Sequence, residues 1–229
     1  MDAIFSGSLK QPPLQMAESM NRLKLVFTFI FLLVLSACTN FIELNPILDK
    51  QSVYDPIPLT VRYFKNPDLI NRLEKREYRM GSPLVFPIGK ASSELFEQIL
   101  ATMFTKVVPV LNRDFKPLPG TNKYAGTASI DIKEFFYAVD SMYTGNPYPY
   151  SISYSFSIMD STGNPVVSWP ITSSTGSSEA CPGKFYCTQK ELAEFVKLDA
   201  MAKFMVDFHN KPEITRWLSA HGVTEGETK

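Results

Sequence analysis

The chain has 229 residues and balances 23 Lys and Arg against 23 Asp and Glu. No basic run or stripe breaks this balance, which excludes the electrostatic footprint that nucleic-acid binding requires. With 45% hydrophobic residues, the length is enough for one domain with a real core and excludes a disordered chain.

The first structured signal is the apolar run Leu25–Val34, preceded by Arg22 and Lys24 and closed by Leu35-Ser36-Ala37-Cys38. Thirteen residues from Leu25 to Ala37 fall short of the roughly 20 needed to cross a bilayer core. They suit the apolar region of a signal peptide. The run and its ending resemble the signal peptide and lipobox of a bacterial lipoprotein. That resemblance implies cleavage before Cys38, a covalent lipid on Cys38 and anchorage in a membrane. One acyl chain anchors only marginally, so the three chains implied here make attachment essentially permanent. In proteobacterial lipoproteins an aspartate after the cysteine commonly signals inner-membrane retention. Thr39 therefore implies the periplasmic face of the outer membrane. Residues 1–19 place Asp2 and Glu18 ahead of the basic residues, and Met20-Asn21-Arg22-Leu23-Lys24 is a more ordinary beginning.

Residues 38–58 read as a lipidated tether, because Asn45-Pro46 and Asp55-Pro56-Ile57-Pro58 oppose helix. Phe41, Ile42, Leu44, Ile47 and Leu48 are apolar for a free linker, so they pack on the domain or dock a partner near the membrane. A single domain is expected over 59–222, with a polar tail over 223–229. Leu59–Phe64 alternates as a half-buried strand, and a loop or short helix follows around Pro67–Arg76. Leu84–Ile88 reads as a second strand whose Pro87 places it at an edge or end. Leu95, Phe96, Ile99, Leu100, Met103, Phe104 and Val107 then recur at helical spacing and predict a helix over 91–106. It runs into a short strand, Val107–Val110.

Farther on, Ile130, Ile132, Phe136 and Ala138 share one parity, with Glu134 the odd polar member. Ser151–Ile158 alternates strictly, which predicts Ile152, Tyr154, Phe156 and Ile158 inward and a serine face outward. Asp160–Asn164 is a turn signal, and Val167, Trp169 and Ile171 form the partner strand. Thr172–Cys187 reads as a long loop. Thr188-x-x-Glu191 is a capping box opening a last helix with Leu192, Phe195, Val196, Ala202, Met205 and Val206 along one stripe. Lys211-Pro212 breaks it before a short segment, Glu213–Ala220. The expected fold class is α+β, a two-layer sandwich in which two amphipathic helices cover a mostly antiparallel sheet.

Val61-Arg62-Tyr63-Phe64-x-x-Pro67-x-Leu69, Phe86-Pro87-Ile88-Gly89-x-Ala91, Leu95-Phe96 and Met103-Phe104-x-x-Val107-Val108 resemble a loose family of outer-membrane auxiliary lipoproteins. These accompany envelope transport, secretion or surface-polymer export. Their domain resembles the small α+β module of curli-pore and flagellar accessory lipoproteins. The resemblance covers roughly residues 59–110 and implies a component of an envelope machine, with other envelope-complex proteins as partners.

No motif supplies a catalytic site. Gly89-Lys90-Ala91-Ser92 fails as a phosphate loop, since position 84 is Leu84 and Ala91 stands where Ser or Thr is needed. Gly89 is read instead as the residue that lets the chain turn into the helix. Cys181 and Cys187 bracket five residues and, in an oxidising compartment, read most simply as a structural disulfide. Only His209 and His221 could add to a metal set, so neither metal nor cofactor is expected beyond the lipid on Cys38. Tyr143, Tyr148 and Tyr150 crowd one loop and either anchor an interface or cap the sheet end. Together with Ser153 and Ser155 they are the candidate interface. The leading expectation is a non-enzymatic structural or assembly subunit of a secretion or export apparatus. The alternative is an accessory lipoprotein that binds lipid, glycan or peptidoglycan.

Overall fold

The structure, a computed structural model, describes residues 40–44, 55–76, 83–112, 124–137, 150–175, 181–183 and 187–223. The apolar run Leu25–Val34 and Cys38 lie outside these residues, as do Tyr143 and Tyr148. In chain order the elements are β1 (Asn40–Phe41), β2 (Ile57–Phe64), α1 (Pro67–Ile70), β3 (Glu74–Arg76), β4 (Leu84–Phe86), α2 (Ile88–Met103) and β5 (Phe104–Val110). There follow β6 (Gly126–Tyr137), β7 (Tyr150–Asp160), β8 (Pro165–Thr175), α3 (Gln189–Asn210) and α4 (Pro212–Ala220).

The fold is mixed α/β. A five-stranded sheet runs β5-β2-β6-β7-β8, and a three-stranded sheet runs β1-β4-β3. The larger sheet is not mostly antiparallel, because β2 is parallel to both β5 and β6. Only β6–β7 and β7–β8 are antiparallel. The parallel half arises because α2 carries the chain back between β2 and β5, and such a crossover returns the next strand in the same direction.

The alternation expected of β7 is present, with Ile152, Tyr154, Phe156 and Ile158 all buried. In register with them, Ile130 pairs Phe156 and Phe156 pairs Trp169; Ile132 pairs Tyr154 and Tyr154 pairs Ile171. These rows meet α2 and α3 in one aromatic cluster. The Phe156 ring lies 4.5 Å from Phe204 and 5.4 Å from Phe96, and Trp169 stacks on Phe204 at 5.5 Å. Consecutive serines pin α2 to two strands: Ser93 Oγ and the Tyr63 hydroxyl share a 2.7 Å hydrogen bond, as do Ser92 Oγ and the Tyr154 hydroxyl. Burial pushes both phenol pKa values above the ordinary range.

Several boundaries differ from expectation. The helix α2 starts at Ile88 and stops at Met103, because Phe104 already extends β5. Gly89 is not a turn residue but a helical one; a Cβ there would overlap the carbonyl of Leu69, so it lets α1 approach α2. In β6 a bulge between Ile132 and Glu134 resets the parity. Phe135, not Phe136, is buried, and Glu134 faces out, which removes the interrupted apolar face read from the sequence. The carbonyl of Ile132 beside the bulge accepts a hydrogen bond from the Arg72 guanidinium, which also holds Glu74 at 3.0 Å.

Thr172 does not open a loop, since β8 continues to Thr175 with Ser173 and Thr175 on its buried parity. Ser173 Oγ meets this burial by donating to Asp199 Oδ2 at 2.6 Å. The capping box at Thr188 forms, with the Glu191 amide donating to Thr188 Oγ1 and the Thr188 amide to Glu191 Oε2. The buried face of α3 is rotated from the stripe read in the sequence. Ala193, Val196, Lys197, Ala200, Phe204 and Phe208 are inside, whereas Val206 is 62% exposed. Cys181 and Cys187 are disulfide-bonded, with Cα atoms 5.8 Å apart.

Candidate interaction face

Residues of β6, β7 and β8 that alternate with the buried rows form the opposite side of the sheet. Ser129, Asp131 and Glu134 lie on β6, Ser151, Ser153, Ser155 and Ser157 on β7, and Ser168, Pro170, Thr172 and Ser174 on β8. None of these is buried, and Phe136, at the Ser151 end, is 46% exposed. The strict period of two puts them there, because Tyr150, Ile152, Tyr154, Phe156 and Ile158 of β7 have gone inward.

Of these eight hydroxyls, four are bonded to one another and a fifth to a backbone carbonyl. Ser129 Oγ and Ser157 Oγ share a 2.6 Å bond, Ser153 Oγ and Thr172 Oγ1 a 3.0 Å bond, and Ser168 Oγ donates to the Phe156 carbonyl at 3.1 Å. Asp131 is similarly engaged by Lys133 at 2.7 Å. Such a surface is low in relief and locally satisfied, so covering it strands few polar groups. Toward β2 the character changes. Arg62, Phe64 and Thr127 are buried, and the Arg62 guanidinium lies 3.4 Å from the centre of the Tyr124 ring. The open region is therefore the β6–β8 part.

Tyr150 does not belong to an exposed loop. It opens β7, fully buried, with its ring 6.3 Å from that of Phe135. Its even parity on β7 placed it inward, a signal the sequence carried once the serine alternation was extended by one pair.

Lys197 was missed by sequence reasoning. It is wholly buried in the middle of the inner face of α3, and its Nζ has no hydrogen-bond partner. Burial lowers its pKa from 10.5 to about 7, against a small opposing pull from Glu194 one turn earlier. His209 is lowered too, by burial. Among the described residues no group of His, Cys, Asp or Glu could hold a metal ion, and no helix is long and apolar enough to cross a membrane.

No protein-family model and no curated protein matches the chain. Among solved structures it is similar to protein XCC0632 from Xanthomonas campestris, of the family DUF330. Identity is 10%, covering 72% of this chain and 89% of that one, with a TM-score of 0.45. It is also similar to the PelC dodecamer from Paraburkholderia phytofirmans (12% identity, 70% and 91% covered, TM-score 0.37). A third is lipoprotein GNA1162 from Neisseria meningitidis (13% identity, 66% and 99% covered, TM-score 0.33).

Proposed function

We propose that the protein is an outer-membrane-anchored periplasmic lipoprotein acting, without catalysis, as a structural or assembly subunit of a secretion or export complex. The address is supported by the basic residues, the short apolar run and Leu35-Ser36-Ala37-Cys38. The subunit role is carried by one observation: an open sheet face of small side chains, half of whose hydroxyls are bonded to one another. On this reading the domain is a two-layer sandwich. Its helices bury one side of the sheet, and Ser153 and Ser155 sit at the centre of the docking side.

The test is bulk. Ser153→Arg together with Ser155→Arg leaves the core rows untouched, so the isolated domain keeps its melting temperature. The same pair abolishes the high-mass complex extracted in gentle detergent, while acylation and abundance stay normal. A normal complex with both arginines present would refute this docking face. Cys38→Ser should release the protein from the outer-membrane fraction.

Lys197 favours a second reading, in which an acidic lipid, glycan or peptidoglycan fragment meets the buried amine. An acidic compound that co-purifies with the wild type and is lost in Lys197→Met would select that reading.

A further inference from the structure

The residues that follow Cys38 are not free chain. Strand β1 runs parallel to β4, with Asn40 opposite Leu84 and Phe41 opposite Val85, and the Ile42 amide donates to the Val85 carbonyl at 3.0 Å. Side chains alternate from there: Ile42 packs against the core and Leu44 is buried in it, whereas Phe41 is 63% exposed and Glu43 faces out. The small sheet places Phe41, Val85 and Lys75 in one register row, hence on one side; Val85 is buried in the middle strand, and Phe41 and Lys75 are exposed at the two edges. Leu73, two residues before Lys75, is 52% exposed. An outward aromatic, an outward leucine and a lysine make an amphipathic patch.

From this we infer that the Phe41 edge of β1-β4-β3 is a membrane-seating surface, pressed onto the phospholipid headgroups of the leaflet that holds the anchor. The inference rests on acylation of Cys38, put forward above. Cys38 precedes Asn40 by two residues, and two residues span at most ~7 Å. A headgroup layer is on the order of 5–8 Å thick, half the difference between the full bilayer and its hydrocarbon core. An acylated cysteine at the acyl boundary thus leaves Asn40 no slack beyond the headgroups. Phe41 then reaches the apolar boundary where aromatic rings settle. The domain is held at the membrane surface in a fixed attitude rather than swinging on a tether.

The full, acylated protein is reconstituted in vesicles of phosphatidylethanolamine and phosphatidylglycerol, with and without brominated acyl chains. Phe41→Trp supplies a reporter at an exposed position, and Val206→Trp supplies one on the outer face of α3. Wild-type spectra remove the signal of Trp169 and Trp217, which are buried. The expected result is loss of most of the added emission in Phe41→Trp and none in Val206→Trp. A linker of about twelve Gly and Ser residues between Thr39 and Asn40, spanning roughly 20 Å, should restore the emission. Equal quenching at the two positions, or quenching of Phe41→Trp that survives the linker, overturns the seating. Intact mass separates the two levels. Acylated protein without quenching overturns the seating alone, and protein with no acyl mass overturns the lipoprotein reading as well.

Discussion

Replacing Lys197 by Met tests the energetics of the α3 face directly. The substitution keeps the unbranched stem and removes a buried amine that has no hydrogen-bond partner, so no bond is lost with it. The lysine pKa falls from 10.5 to about 7 on folding. At 1.36 kcal/mol per pH unit, that shift costs the wild type on the order of 5 kcal/mol below pH 7. Between about pH 7 and 10.5 the unfolded chain holds a proton that the folded chain has released, so stability rises with pH across that window. Tyr63 and Tyr154 oppose this only above pH ~10, where unfolded tyrosines ionise and the buried ones resist. Urea unfolding of the lipid-free Cys38→Ser protein at pH 7.5 and 9.5 should therefore show a wild-type gain of about 3 kcal/mol. Lys197→Met should be more stable than wild type at pH 7.5 and nearly flat over the same interval. A wild-type stability that does not rise, or a Met variant no more stable at pH 7.5, would refute the placement of this amine in the core.

Gly89→Ala should destabilise by ~1–3 kcal/mol or more, because the new Cβ meets the Leu69 carbonyl, a backbone atom that cannot rotate away. Thermal melting checks this, and an unchanged melting temperature would count against the α1–α2 approach. Phe156→Ala should cost ~3–5 kcal/mol by opening a cavity among Phe96, Trp169 and Phe204, whereas Ser155→Ala on the other side should stay within about 0.5 kcal/mol. Chemical denaturation of the two variants separates the faces. Pro170→Val should restore a backbone donor on the outer edge of β8 and produce concentration-dependent self-association in sedimentation. A strictly monomeric variant would show that the proline guards nothing.

The parts of the fold most legible in the sequence were those decided by local periodicity and local hydrogen bonding. The alternation of β7, the Thr188–Glu191 capping box and the turn at Asp160 all involve partners within a few residues. At that turn Asp160 Oδ1 accepts from the Thr162 and Asn164 amides. What escaped was set by distant partners. The β6 bulge is stabilised by Arg72, sixty residues earlier, so nothing in Ile130–Phe136 itself announces the change of parity. Ser173 looked like a loop residue because its polarity is answered by Asp199 on α3, not by its neighbours. The inner face of α3 was misread for the converse reason: Lys197 is polar yet wholly buried, and a hydrophobic stripe drawn around it rotates away from the true one. The candidate face was legible on β7 alone. Its extension over β6 and β8 needed the register, whereas the exclusion of Tyr150 needed only the β7 alternation carried back by one pair.

Where this protein can meet a neighbour follows from which of its surfaces are already committed. One side of the large sheet is spent on α2 and α3, whose aromatic cluster leaves no apolar row to share. Both edge strands carry an exposed proline, Pro109 next to the end of β5 and Pro170 in the middle of β8. Neither proline has a backbone donor, which disfavours extension of the sheet by another chain. That leaves the β6–β8 outer side, where side chains are small and a partner's backbone can come close. Contacts of this kind are individually weak, since a serine face offers little apolar area. On the proposed reading, confinement to one leaflet compensates, because subunits that share a membrane surface meet at an effective concentration far above that of free solution. A fixed attitude on the membrane adds to this by presenting the same face in every copy, so less orientational freedom is lost on docking. On that reading seating and docking are two halves of one design, and the short link between Cys38 and β1 is what couples them.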